Sequence, residues 1–311
     1  FFAYEGPQDE RRAEFADGNE LWQEKIFQAP DSELKVFDQF KDWDDKDKPI
    51  IFTMARFDSK KNIAGLVEEF AKAGLKEQAN LVIVGGNTDY TTRDGKLLFK
   101  ARAGSDDMNK EELAIAHKII DLVDQHQLQG HIRWISASTV PRESAELYRV
   151  MQDHHAGAVF AQPATFEAFG LTILEAMATH LLVVATDQGG PKEIIRHGQD
   201  GFLADPETPG AFGAALTQAV ATLQDAEARE TIIRSAMARI ENKYNWRRRA
   251  QRTLQAVQYF SALKHNQQKT TLGRWARREQ MLDQAHGAIL QLVEKIIWNH
   301  QMEFIPPEKQ T

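Results

Sequence analysis

The chain has 311 residues, 42% of them hydrophobic and 27% charged, a balance that supports a sizeable core and excludes a disordered chain. Its net charge of −7 argues against a nucleic acid or an anionic membrane as the main partner. It contains no cysteine, which excludes disulfides, thiolate catalysis and cysteine-ligated metals and makes a reducing cytosol the expected setting.

No apolar run approaches the roughly 18 residues of a membrane helix. The opening Phe1-Phe2-Ala3-Tyr4 carries neither an initiator Met nor a visible signal peptide, as expected of a fragment or a processed piece. Residues 1–48 are polar and broken and read as linker and peripheral helices. Their acids Asp42, Asp44, Asp45 and Asp47 lack the central Gly and terminal Glu of a calcium loop, so a solvated acidic turn is expected. The run Pro49-Ile50-Ile51-Phe52-Thr53-Met54-Ala55 predicts a strand buried on both faces. A helix follows, capped by Asn62, with Leu66, Val67, Phe70 and Ala71 on one face. Residues 79–85 predict a second strand, and residues 86–107 a long polar loop broken by Gly86, Gly95 and Gly104. A helix over 109–127, a strand over 132–135, a helix over 142–151 and a strand over 156–161 come next. Further strands are predicted at 181–186 and 201–204, with a short helix at 190–197 between them; from Pro209 onward the pattern is almost wholly helical.

Strands alternating with helices in this way predict an α/β fold, a Rossmann-like doubly wound parallel sheet with extra C-terminal helices. Ligands of such sheets bind beyond the carboxyl ends of the strands. Arg56, Lys61, Gly85, Ser136, Gln162, Glu167 and Gly189 all fall just past predicted strand ends, so the fold gathers them at one edge.

No G-x-G-x-x-G follows the first strand, and neither a P-loop nor a G-x-S-x-G elbow occurs. His154 and His155 are adjacent, a poor spacing for a metal. What remains is a cationic turn and an acidic turn. Arg56 and Lys61, one at a strand end and one at a helix start, can hold a diphosphate without a metal ion, although such residues are often simply solvated. The acidic turn, Gln162-Pro163-Ala164-Thr165-Phe166-Glu167-Ala168-Phe169-Gly170-Leu171-Thr172, runs from a strand into a helix that carries Glu175. A helix start attracts phosphate, and carboxylates accept hydrogen bonds from sugar hydroxyls. Glu167 in the turn can hold a transferred sugar, and Glu175 in the helix can take both ribose hydroxyls of a nucleotide. A Glu in a first turn can also serve only the helix dipole, but Phe166, Phe169 and Leu171 are expected to bury part of the Glu167 charge, which no stability requirement explains. For Gly189-Gly190-Pro191 two readings stay open: an ordinary helix start, or a close backbone approach to a ligand. Arg247-Arg248-Arg249 with Arg252 is expected to be a solvated helix face.

These motifs carry a specific resemblance. Phe52-Thr53-Met54-Ala55-Arg56-Phe57-Asp58 with Lys61-Asn62, Asn80 through Gly86, Arg133-Trp134-Ile135-Ser136, Glu146-Leu147-Tyr148-Arg149, Gln162 through Met177, Gly189-Gly190-Pro191 and Lys243-Tyr244-Asn245-Trp246 are similar to the C-terminal half of the sucrose synthase family. These are retaining glycosyltransferases of the GT-B architecture, and the likeness covers about residues 1–265. The resemblance implies reversible transfer of glucose between sucrose and UDP or ADP, giving the nucleotide-glucose and fructose, with no metal or other cofactor. Arg56 and Lys61 would bind the pyrophosphate and stabilise the departing nucleotide, and Glu167 would contact the glucose. Backbone N–H groups of Phe169, Gly170 and Leu171, with Thr172, would bind glucose and phosphate. Glu175 would bind ribose, with Gln162 and Ser138 completing the donor contacts.

The same resemblance implies a domain plan: peripheral helices over 1–48, the nucleotide-sugar-binding domain over 49–265, and a helical extension over 266–311. That extension would pack on an N-terminal Rossmann-like half, absent from this sequence, which in the family carries fructose binding and a catalytic His. A homo-oligomer is expected at full length. In isolation the stripe Leu282 to Ile297 would be left partly bare, which predicts association or poor solubility. The chain also departs from the family. Ser138 and Ser144 stand where plant members have Gln and Asn, which bears on the choice between UDP and ADP. Ala178-Thr179-His180-Leu181-Leu182 stands where family members have Cys-Gly-Leu-Pro after the Glu-Ala-Met run, and the loss of that Gly at a helix end predicts His180 in a left-handed conformation. Two other readings stand beside this one: sucrose-phosphate synthase or another retaining GT-B glycosyltransferase, and a non-catalytic nucleotide-sugar-binding or interaction module.

Overall fold

The computed structural model describes Ile26 and residues 43–85, 90–93, 96–99, 110–135, 141–244 and 246–267. Asp42, Ser136, Ser138 and the stripe from Leu282 to Ile297 lie outside these residues. The chain divides into two compact units, Phe1–Ile240 and Glu241–Thr311.

The first unit is built on six parallel strands: β1 (Ile50–Met54), β2 (Asn80–Val84), β5 (Ile132–Ile135), β6 (Ala158–Gln162), β7 (Leu182–Thr186) and β8 (Phe202–Ala204). Their spatial order is β5-β2-β1-β6-β7-β8. β2, β6 and β7 are buried at every position. That burial is why their sequences are continuous apolar runs and not alternating ones. β1 runs in register with β2 on one side, Ile50 opposite Asn80, and with β6 on the other, Ile50 opposite Ala158.

Helices α1 (Ile63–Lys72) and α2 (Lys110–Gln125) cover the sheet with apolar residues at helical spacing: Ile63, Leu66, Val67 and Phe70 on α1, and Ala116, Ile119, Ile120 and Val123 on α2. Each of these side chains except Ala116 contributes roughly 1.5–3 kcal/mol by leaving water. That outweighs what any single helix cap contributes. Four more helices complete this unit's connections: α3 (Pro141–Asp153), α4 (Leu171–Ala178), α5 (Pro191–Ile194) and α6 (Ala211–Gln224), followed by α7 (Ala226–Arg239). The start of α6 is capped from a distance. The Glu69 carboxylate of α1 accepts the Gly210 N–H at 3.0 Å and the Gly213 N–H at 2.8 Å. The second unit includes helix α8 (Trp246–Gln267).

Four expectations need correction. Residues 86–107 are not all loop: β3 (Tyr90–Arg93) and β4 (Lys96–Phe99) form an antiparallel hairpin. Its sequence signal is Asp94-Gly95, a favoured hairpin pair, between Thr91-Thr92 and Leu97-Leu98. Asn62 makes no capping bond to α1; its backbone is left-handed at φ 52° and its side chain points to another turn. The short helix expected at 190–197 ends at Ile194, because Ile195 is extended and Arg239 of α7 donates to the carbonyls of Glu193 and Ile194. The last strand begins at Phe202, since Gly201 has a φ of 152°. His180 does adopt the left-handed conformation, at φ 63°.

Candidate functional site

Strand order decides where a ligand can enter. From β1 the chain moves outward to β2 and β5, then returns past β1 to β6, β7 and β8. The direction reverses between β1 and β6, so the crevice of the sheet opens at their carboxyl ends. Three aromatic rings floor this region, with Phe52 of β1, Phe160 of β6 and Tyr148 of α3 packed edge to face at 5.2–5.8 Å.

Two turns meet there. The first follows β1. Asp58 accepts the Lys61 N–H at 3.1 Å and so starts the single helical turn Ser59–Lys61. The second follows β6. They are pinned together by the Asn62 amide donating to the Pro163 carbonyl at 3.2 Å and by the Thr165 N–H donating to the Lys60 carbonyl at 2.9 Å. The second turn also leans on the segment after β7. The Glu167 N–H donates to the Gln188 carbonyl at 3.1 Å, and the Gly190 N–H donates to the Glu167 carbonyl at 2.8 Å. Gly189 makes this approach possible. Its φ is +97°, and a Cβ there would lie 2.2 Å from the Glu167 carbonyl oxygen. The helix-start reading of Gly189-Gly190-Pro191 holds, since Pro191 opens α5; the close backbone approach that the structure shows at Gly189 is to the Glu167 carbonyl of the chain itself.

This clamp aims the Glu167 carboxylate. Its Oε2 accepts from Lys61 Nζ at 2.7 Å and from Gln162 Nε2 at 2.9 Å, and its Oε1 accepts from the Phe169 N–H at 3.3 Å. Burial pushes the carboxyl up, but Lys61 and the N–H groups of Phe169 and Gly170 outweigh it and hold the group below the ordinary carboxylate value. Glu167 is thus ionised at neutral pH. The side chains are 16% exposed for Glu167 and 26% for Lys61, so the pair is shielded but not dry. The apolar neighbours that the sequence led one to expect as a shield are themselves about half exposed. Phe166, Phe169 and Leu171 are 58%, 50% and 49% exposed.

Helix α4 begins immediately afterwards. Gly170 precedes it in a left-handed conformation at φ +100°, and no side chain caps it. The first N–H groups, at Leu171 and Thr172, have no intrahelical acceptor and carry the positive end of the helix dipole. Glu175 sits one turn in and is half-buried, with the Tyr148 hydroxyl 3.5 Å from its Oε2. Burial, and then the Glu175 charge, push the Tyr148 hydroxyl well above its ordinary value, so it stays a proton donor toward Glu175. Arg56 differs from Lys61. Its side chain is 84% exposed and pairs with Asp58 at 3.5 Å.

The structure thus brings Lys61, Gln162, Glu167, Phe169 and Gly170 into one cluster, with Leu171, Thr172 and Glu175 on the adjoining helix. Sequence reasoning missed Tyr148, Thr165 and Gln188; only Tyr148 carried a signal, as a polar aromatic on the apolar face of its helix. No group of acidic and histidine side chains suited to a metal ion occurs among the described residues. No helix among them is long and apolar enough to cross a membrane.

Residues 36–239 match the family model described as glycosyl transferases group 1. The chain belongs to this family. This glycosyltransferase chain is 41% identical over 204 residues to the sucrose synthase of Denitrovibrio acetiphilus, covering 65% of this chain and 24% of that protein. It is 40% identical over 223 residues to the sucrose synthase of Solanum tuberosum, covering 71% of this chain and 26% of that protein. The glycosyltransferase chain therefore spans about a quarter of the length of the curated relatives it matches. Among solved structures it is similar to a sucrose-phosphate synthase from Thermosynechococcus elongatus, with a TM-score of 0.51 and 25% identity, over 70% of this chain and 46% of that one. These likenesses match the α/β sheet and the sucrose synthase resemblance read from its motifs.

Proposed function

We propose that this chain is the donor-binding half of a sucrose synthase-like hexosyltransferase, moving glucose between sucrose and UDP or ADP with retention of configuration. The observation that carries this reading is the meeting of Lys61, the ionised Glu167 and the open start of α4 at the switch point between β1 and β6. Lys61 and the exposed Arg56 would neutralise the diphosphate as it departs. The N–H groups of Phe169, Gly170 and Leu171, with the Thr172 hydroxyl, would bind phosphate and the glucose ring. Glu167 would accept hydrogen bonds from glucose hydroxyls, and Glu175, held by Tyr148, from the ribose. Ser138 would complete the donor contacts, whereas Gln162, buried with its amide donating to Glu167, would act on the donor only through that carboxylate.

The reading needs no metal, because two cations and a helix start supply the positive charge. No side chain of the cluster is set as a nucleophile, which favours attack on the same face as departure, in an ion-pair-like transition state. Fructose would be held by an N-terminal half outside this sequence, and turnover would require that half. The expected setting is the cytoplasm.

Calorimetry with UDP and UDP-glucose tests the proposal. The chain should bind both, and Arg56→Ala and Glu175→Ala should each weaken binding about tenfold or more. An absence of binding, or equal binding by the variants, rejects it. The likeness to a sucrose-phosphate synthase supports a second reading in which the acceptor is fructose 6-phosphate. Adding the acceptor half and comparing the two acceptors separates them.

A further inference from the structure

Gln162 is the last residue of β6 and is 6% exposed. Its amide nitrogen donates to Glu167 Oε2 at 2.9 Å, while its Oε1 is buried without a hydrogen-bond partner. An unpaired buried carbonyl is a cost that folded chains normally avoid. Turning the amide over would not relieve it, because Oε1 would then face the ionised oxygen of Glu167. The amide is held in its costly orientation by the carboxylate.

Every group facing the Glu167 carboxylate, among the described residues, can be named. Lys61 comes from the turn after β1, Gln162 from β6, and the N–H groups of Phe169 and Gly170 from the turn itself; the segment after β7 offers only backbone, which binds the Glu167 main chain. Of these, Lys61 is the group whose flexible stem and full charge suit it to phosphate. If Lys61 turns to a diphosphate, Oε2 keeps one side-chain donor, and that donor is Gln162.

We propose that Gln162 is a positioning residue for Glu167: its amide is the standing donor that fixes the carboxylate when Lys61 leaves it for the phosphates of a nucleotide-sugar. The exchange of partners rests on the donor-binding function proposed above; the grip of Gln162 on Glu167 does not. Binding of the diphosphate then frees one lone pair of Glu167 for a sugar hydroxyl without letting the side chain swing away. Gln162 itself does not touch the sugar, since its Oε1 is enclosed.

The full chain labelled with carbon-13 in its Glu carboxyls tests this, with the Glu167 signal assigned by its loss in Glu167→Gln. In Gln162→Met the Glu167 carboxyl should titrate higher than in the wild type, in Gln162→Met/Lys61→Met higher than in Lys61→Met, and in Gln162→Glu, where two carboxyls share the site, higher than in Gln162→Met. The glutamate variant keeps the side-chain volume and serves if the methionine variant fails to fold. Titration in Gln162→Met or Gln162→Glu that coincides with the wild type overturns the proposal. On the ligand side, Gln162→Met should lose about tenfold or more in affinity for UDP-glucose and markedly less for UDP, because the loss falls on the sugar. An equal loss for both overturns the positioning role. If the wild type binds neither ligand, the donor-binding function fails, while the titrations still decide whether Gln162 holds Glu167.

Discussion

Lys61 Nζ donates to Glu167 Oε2 at 2.7 Å, across 106 residues of sequence. The two residues stand on turns that follow adjacent parallel strands, β1 and β6. Their distance is set by the strand spacing and by the bonds that tie Lys60 to Thr165 and Asn62 to Pro163.

This pair ties stability to acid pH. Glu167 has a lowered carboxyl pKa in the folded chain, so its ionised form contributes stability above the unfolded value of about 4.3, lost as pH falls through the lower folded value. Lys61→Met should therefore cost roughly 1–2 kcal/mol at neutral pH and flatten the acid side of the stability curve. Urea unfolding across a pH series measures both. Parallel curves for the two proteins would reject the assignment.

Gly189→Ala and Gly198→Ala form a matched pair. Both glycines have positive φ, at 97° and 74°, but a Cβ meets the Glu167 carbonyl in the first case and open space within 4 Å in the second. The Gly198 variant should lose about 1 kcal/mol from backbone strain alone. The Gly189 variant should lose roughly 2–4 kcal/mol and shift the Glu167 turn. Equal losses in denaturant unfolding would show that the approach at Gly189 is not tight.

Three histidines should set a second pH dependence. Burial lowers the pKa of His131, with Lys48 adding to it; burial also lowers His154 and His180, against weaker opposing effects of the Lys48 carbonyl and of Glu230. The unfolded chain takes up these protons near about pH 6.5 and the folded chain only below it. Protons favour the unfolded state in that window, so stability should fall as pH drops from about 7 toward about 5. Thermal midpoints read across that range check it; a flat profile is the contrary result.

Asp200 ties the turn after α5 to α7 and is 1% exposed. Arg196 donates to both of its oxygens at 2.7 Å, the Ser235 hydroxyl donates at 2.7 Å, and Arg239 lies 3.7 Å away. Asp200→Ala leaves Arg239 without that charge and should cost about 3 kcal/mol, at the low end for a broken buried pair because Arg196 is half exposed. A loss under about 1 kcal/mol in urea unfolding would mean that solvent replaces the carboxylate.

Much of this architecture was legible in the sequence because burial writes itself as composition. Strands enclosed on both faces must be apolar throughout, so β1, β2, β6 and β7 stand out as continuous runs, and the helices between them as periodic ones. The hairpin of β3 and β4 was harder to read because each strand has only four residues, too few for a periodic pattern to stand out from the surrounding polar stretch. Asn62 misled for a different reason: Asn favours helix caps and left-handed turns alike, and only its partner, the Pro163 carbonyl, decides between them. The exposure of Phe166 and Phe169 was illegible because an aromatic residue beside an acid reads as a shield unless the backbone path is known.

The sequence by itself determined the alternation of strand and helix, the acidic turn leading into α4, the cations after β1 and the left-handed His180, since each is a local matter of polarity, period or backbone freedom. Only the tertiary structure decided that Lys61 and Gln162 share one oxygen of Glu167, that Gly189 admits the Glu167 backbone, and that Tyr148 stands under Glu175. These depend on strand order and on which turns close over the switch point. Such choices are made by packing between segments distant along the chain, and no local pattern encodes them.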